Sequence, residues 1–164
     1  MAINAFRRFV TFLAKMGLIV RDDSPRVIDM TGREWGEPAD GLALSIREGK
    51  KDDPGQLPVL SVVMRNAGPE RKALTIPGWL FFYEITVSNA QPTAYGRELM
   101  KPERRTERIE LTLGPGDATE TDLPIGLLYE MRARGTYRVR VSCHLPDGVT
   151  LRSNEIAVGY SGVS

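Results

Sequence analysis

Cysteine and histidine are almost missing from this chain of 164 residues: it has one of each, adjacent to one another, Cys143 and His144. A single cysteine cannot form an intramolecular disulfide, which suits a reducing, cytoplasmic compartment. A single histidine removes most zinc sites and every Ser-His or Cys-His arrangement that cannot use that residue. Excess charge of one sign is missing too. Twenty-two Lys and Arg face 21 Asp and Glu, for a net charge of +1. Such a chain lacks the strong field of a dedicated nucleic-acid binder, and no nucleic-acid partner is expected. No stretch reaches the roughly 20 apolar residues of a transmembrane helix. The apolar run FVTFLAKMGLIV after Arg7 and Arg8 is interrupted by Lys15. Arg21-Asp22-Asp23 then stands where a signal peptide would place small residues, so export is disfavoured. There is no phosphate loop, no G-x-G-x-x-G and no repeat of fixed period.

What is present is alternation. Leu42, Leu44 and Ile46 alternate with Ala43, Ser45 and Arg47, and Leu60, Val62 and Met64 follow the same rule. Further strands are expected at Leu74–Ile76, through Phe81, Tyr83, Ile85 and Val87, through Ile109, Leu111 and Leu113, and as a short piece at Thr119–Leu123. The clearest signal lies late, where Tyr137, Val139, Val141 and Cys143 alternate with Arg138, Arg140, Ser142 and His144. Pro146-Asp147-Gly148 then turns the chain into a last strand over Leu151–Val158. Seven or eight short strands with turn signals between most of them indicate an all-β sandwich or barrel.

The N-terminus differs. At about 100° per residue, Phe6, Phe9, Phe12, Leu13, Met16, Ile19 and Val20 share one side of a helix over residues 3 to 20. Arg7, Arg8, Thr11 and Lys15 share the other. The organisation is therefore an amphipathic helix (1–20), a linker (21–40) whose Trp35 is expected to dock, a β domain (41–160) and a tail (161–164).

One set of motifs carries a family resemblance. The runs Leu111-Thr112-Leu113-Gly114-Pro115-Gly116-Asp117, Leu127-Leu128-Tyr129, Gly135-Thr136-Tyr137-Arg138-Val139 and Ser153-Asn154-Glu155-Ile156-Ala157-Val158, with Val62-Val63-Met64-Arg65-Asn66 earlier, resemble bacterial immunoglobulin-like domains. The resemblance covers roughly residues 41 to 160. It implies an immunoglobulin-like antiparallel β-sandwich of seven or eight strands, to which this chain adds the N-terminal amphipathic α-helix. It is loosely similar to accessory immunoglobulin-like modules and to intracellular proteinase inhibitor domains. These are turn and core motifs, and they carry over no functional residue. A tyrosine near a strand start can pin a sandwich corner through its hydroxyl; Tyr137 is expected in that role, with Tyr129 competing for it.

Candidate chemistry is sparse. Successive strand side chains point to opposite faces, so Cys143 and His144 cannot meet as nucleophile and base. Cys143 is expected in the core and His144 on the solvent face with Arg138 and Arg140. The carboxylates Asp22-Asp23, Asp52-Asp53 and Asp117/Glu120/Asp122 lack calcium-loop spacing and are read as solvated loop residues. No catalytic, cofactor or metal site is expected, and the chain is read as a non-enzyme. The expected contact residues are Phe6, Phe9, Phe12, Leu13 and Met16 on the stripe, with Trp79 and Phe82 as an aromatic pair. On the strand reading Phe82 falls opposite Phe81 and Tyr83, with core packing of Trp79 and Phe82 as the competing reading. The leading expectation is a protein-interaction or structural module, a component of a larger assembly that binds a protein partner or itself. The alternatives are an enzyme inhibitor presenting the polar 88–106 loop, and a peripheral membrane protein lying on a lipid surface through the helix.

Overall fold

Turn residues decide where each alternating run becomes a strand. The computed structural model describes residues 28–50, 56–104, 108–131 and 134–160. Among them are eight strands: β1 (Leu42–Glu48), β2 (Leu60–Asn66), β3 (Lys72–Ile76), β4 (Glu84–Val87), β5 (Ile109–Leu113), β6 (Ala118–Leu123), β7 (Gly135–His144) and β8 (Thr150–Tyr160). Three short α-helices interrupt them, α1 (Trp79–Phe82), α2 (Ala94–Leu99) and α3 (Ile125–Leu128), with a 3-10 turn at Pro102–Arg104. The expected helix over residues 3 to 20 lies outside the described residues.

Six strands form one sheet in the order β4-β7-β8-β1-β2-β6, and β3 pairs with β5 separately. Every pairing is antiparallel except β1 with β8. The sheet curls, so that Leu42, Leu44, Leu60 and Val62 from one half share a single core with Tyr137, Val139, Val141 and Leu151 from the other. β7 keeps strict alternation, inward residues buried and Arg138, Arg140 and His144 exposed. β1 and β2 instead bury five successive residues each. Burial on both faces means something covers the outer one. The cover is the segment before β1, where Ser45 Oγ donates to the Glu34 carbonyl at 2.6 Å.

The seam between β1 and β8 is the thinnest part of the sheet. Only Leu44 and Ser153 are in parallel register. One step further, the Asn154 side chain replaces a strand: its Nδ2 donates to the Ile46 carbonyl at 3.0 Å, and the Ile46 N–H donates to its Oδ1 at 2.8 Å. Ser153 Oγ accepts from the Val141 N–H at 2.9 Å, beside the register shift in β7, and donates to the Asn154 carbonyl. On the same seam the Gly36 N–H donates to the Leu44 carbonyl. A β-carbon on Gly36 would stand 1.9 Å from the Arg152 carbonyl oxygen, so only glycine fits.

One expectation is corrected. Residues 79–82 are a helical turn rather than the start of a strand. Gly78 adopts φ 102°, and the N–H groups of Phe81 and Phe82 both close on its carbonyl. The turn places Trp79, Phe82 and Tyr83 together by i, i+3, i+4 spacing. Of the two tyrosines weighed for the corner, Tyr129 donates its hydroxyl to the Ile85 carbonyl at 2.9 Å, and Tyr137 is buried in the core. Truncating Asn154 to Ala strands two buried backbone groups of Ile46. We expect a loss of about 2–4 kcal/mol in urea unfolding, with Gly36→Ala at least as severe, and Arg152→Ala within about 0.5 kcal/mol of the parent.

Candidate functional site

The outer face of β1, β2 and β6 is where polar side chains gather. Period-two alternation lines it with Ser45 and Arg47 from β1, Ser61 and Arg65 from β2, and Glu120 and Asp122 from β6, with Ser61 opposite both Arg47 and Asp122. The segment 28–36 crosses this face. Trp35 lays its ring on the Arg65 guanidinium, 4.1 Å from Cζ to the ring centre, so the expected docking of Trp35 has a partner.

Arg33 is the centre of the contact. Its side chain is fully buried, at 0% exposure. Nε donates to the Asp29 carbonyl at 3.1 Å, and Nη2 donates to Ser61 Oγ at 2.9 Å and to Glu120 Oε1 at 3.2 Å. Ser61 Oγ in turn donates to the same carboxylate oxygen at 2.7 Å. Burial pulls the Arg33 pKa below its ordinary value; Arg47 acts the same way, while Glu120 and Asp29 oppose it. A guanidinium still carries its proton under such a shift. The group is a buried cation held by one carboxylate that is 29% exposed.

Beside this cluster opens a cavity of about 410 Å³, lined by Asp29, Arg47, Glu48, Lys50, Ser61, Glu120 and Asp122 among others. Its charged lining residues are four carboxylates and two cations. The Asp29 carboxyl lies below its usual range because the Thr31 N–H donates to it. No group of three His, Cys, Asp or Glu among the described residues is arranged to hold a metal ion. No helix among the described residues is long and apolar enough to cross a membrane.

The other expected sites sort as follows. Phe6, Phe9, Phe12, Leu13 and Met16 lie outside the described residues, as do Asp22-Asp23 and Asp52-Asp53. Phe82 is buried at 8% exposure and tilts against Tyr83, with ring centres 5.2 Å apart; it belongs to the core rather than to the face opposite Tyr83. Trp79 stacks on Tyr83 at 5.5 Å and is partly buried against the same cluster. Cys143 is buried, and burial pushes its thiol up to about 12. His144 is exposed on the other face, 3.5 Å from Glu84 and 3.1 Å from Thr150 Oγ1. Arg138 and Arg140 both face Glu155. The 88–106 stretch is tied down over much of its length. Thr93 caps α2, its hydroxyl donates to the Leu127 carbonyl, and a β-carbon on Gly96 would stand 2.3 Å from the Leu128 carbonyl oxygen.

No protein-family model matches this chain, and no curated protein matches it either.

Glu120 and Asp122, expected as solvated loop residues, stand instead in β6, and Glu120 pairs with buried Arg33; Arg33 and Ser61 were not singled out in the sequence. Their signal was weak but real: Ser61, Glu120 and Asp122 fall on the strand faces opposite the core residues, facing a linker with one buried-type aromatic. Two outcomes are expected. Glu120→Ala should cost roughly 3 kcal/mol or more in denaturant unfolding, because it leaves the Arg33 charge buried without a counter-ion. Native Cys143 should resist a thiol reagent at pH 8 and react on unfolding. Because its pKa is raised in the folded state, deprotonation of the unfolded chain lowers stability as pH rises from 9 towards about 12. Cys143→Ala should flatten that alkaline slope.

Proposed function

We propose that this chain is a non-enzymatic protein-interaction module, a component of a larger assembly, engaged through its N-terminal amphipathic stripe and built on an immunoglobulin-like β-sandwich. The observation that carries this reading is a surplus of apolar surface. Phe6, Phe9, Phe12, Leu13, Met16, Ile19 and Val20 fall on one side at helical spacing, upstream of a domain that builds a continuous core between Leu42 and Val158. A helix of such length is marginal alone in water and needs a surface to dock on. The sandwich reading is supported by the curl of the sheet, which lays β4-β7-β8 over β1-β2-β6 around one core. A cytoplasmic setting is supported by the lone thiol.

The chemistry-bearing groups support a non-enzymatic role. The thiol of Cys143 is buried and held protonated, His144 lies across the sheet from it, and Arg33, Ser61 and Glu120 are spent on tying down the segment before β1.

The stripe is tested by replacing Phe9 and Leu13 with Asp in the full-length chain. Light scattering after size exclusion should then show loss of self-association or of a co-purifying partner, with the thermal transition of the β domain unchanged. An unchanged mass would count against the stripe as the contact. A shortened chain beginning at residue 28 should unfold like the parent. One beginning at residue 41 should lose several kcal/mol with the Arg33 and Trp35 contacts.

A further inference from the structure

We propose that residues 28–35 form a latch: the segment leaves the outer face of β1, β2 and β6 as one unit, pivoting at Gly36, while the core stays folded. This goes beyond the interaction reading and does not rest on it, because the latch opens without a partner.

The first observation is what the latch leaves out of the core. No side chain of residues 28–35 belongs to the apolar core, whose buried residues begin at Leu42, and Ala39 is the first residue to pack against it. Trp35 lies on the other side of the sheet, over the Arg65 guanidinium. Segments that open at less than the global free energy are those with few buried apolar contacts. Release of this one uncovers none of the core.

The second observation is how the latch is held. Its anchors are polar: Arg33 on Ser61 and Glu120, the Glu34 carbonyl on Ser45, Trp35 on Arg65, and an exposed pair of Asp29 with Arg47. One atom, Arg33 Nη2, serves both Ser61 and Glu120, so withdrawal of one side chain breaks both bonds together. Two donors at the same contact, Arg33 Nη1 and Arg65 Nε, are buried without a hydrogen-bond partner. An unmet buried donor costs the closed state its hydration, and water restores it on release. That lowers the free energy of opening below what the bonds alone would set.

The third observation is where opening stops. The Gly36 N–H donates to the Leu44 carbonyl, and Gly36 fits against the Arg152 carbonyl with no room for a β-carbon. The bridge between Ala39 and Leu42 follows it. Gly36 therefore stays with β1, and β1 keeps its pairing with β2 along its whole length.

What release uncovers is Val63. It is fully buried, yet it stands outside the core cluster on the outer face. Its cross-strand neighbours are Ser45 and Glu120, and these bond Glu34 and Arg33, so the latch runs directly over it. Ala43 on the same face is also buried outside the core cluster. An open latch bares this patch and lengthens the tether of the upstream stripe by the residues from Asp29 to Trp35.

The test compares two thiols in one full-length protein, Val63→Cys under the latch and the native Cys143 in the core. A small thiol reagent is added at mildly alkaline pH, and each site is followed by peptide mass mapping. Val63→Cys is expected to react about a hundredfold faster than Cys143 or more, and far more slowly than in the unfolded chain. Its rate should rise little with urea below the unfolding transition, while that of Cys143 rises steeply, because latch opening exposes little surface. Arg33→Ala should speed Val63→Cys by about tenfold or more and leave Cys143 the slower thiol by about a hundredfold. Ala43→Cys takes the place of Val63→Cys where that change moves the thermal transition. One common rate and one common urea dependence for both thiols would overturn the latch, since the segment would then leave only with the whole fold. Reaction of Val63→Cys at the unfolded-chain rate without the Arg33 change would overturn it as well, since the segment would then not be closed.

Discussion

The bond pair between Asn154 and Ile46 is the constraint on which the rest of the structure depends. β1 has to serve two halves of the fold at once. It pairs along its whole length with β2, yet meets β8 at one registered pair. A seam that thin would leave the backbone groups of Ile46 buried without partners, at a cost comparable to a lost hydrogen bond for each. The asparagine amide has one donor and one acceptor at the spacing of a peptide group, and it satisfies both. With the seam closed, the sheet can curl and bring β7 over β1 and β2. The burial of Val139, Val141 and Cys143 follows from that closure. So does the position of Gly36, which fits only because β1 and β8 hold their separation.

A second constraint operates on the opposite side of β1 and β2. That face carries serines and charges, and a polar face against solvent would be ordinary. Here it is covered, and most polar groups under the cover are matched, while Arg33 Nη1 and Arg65 Nε are buried without a hydrogen-bond partner. Ser45 bonds the Glu34 carbonyl, Arg33 bonds Ser61 and Glu120, and Arg65 meets the face of Trp35. Buried charge of this kind gives little net stability compared with an apolar packing, but it is unforgiving of misplacement. It fixes where the segment 28–36 lies and in which register. The same bonds hold Glu120 on the outer face, where it lines the cavity.

Most of the strand content was legible in the sequence because a half-buried antiparallel strand writes itself as alternation. β7 is the clearest case, and the separation of Cys143 from His144 followed from period two alone. Residues 79–87 misled for a physical reason: Phe81, Tyr83, Ile85 and Val87 alternate, but Gly78 at positive φ starts a helical turn that no alternation reveals. The polar stretch after β4 read as an open loop, because the cap at Thr93 and the close approach of Gly96 to Leu128 depend on a distant segment. The buried cluster was hidden for the same reason. Arg33, Ser61 and Glu120 are 28 and 87 positions apart along the chain, and no local pattern connects them. The Ser153-Asn154 pair was noticed as a motif, while its work in closing the seam needed the parallel partner to be seen.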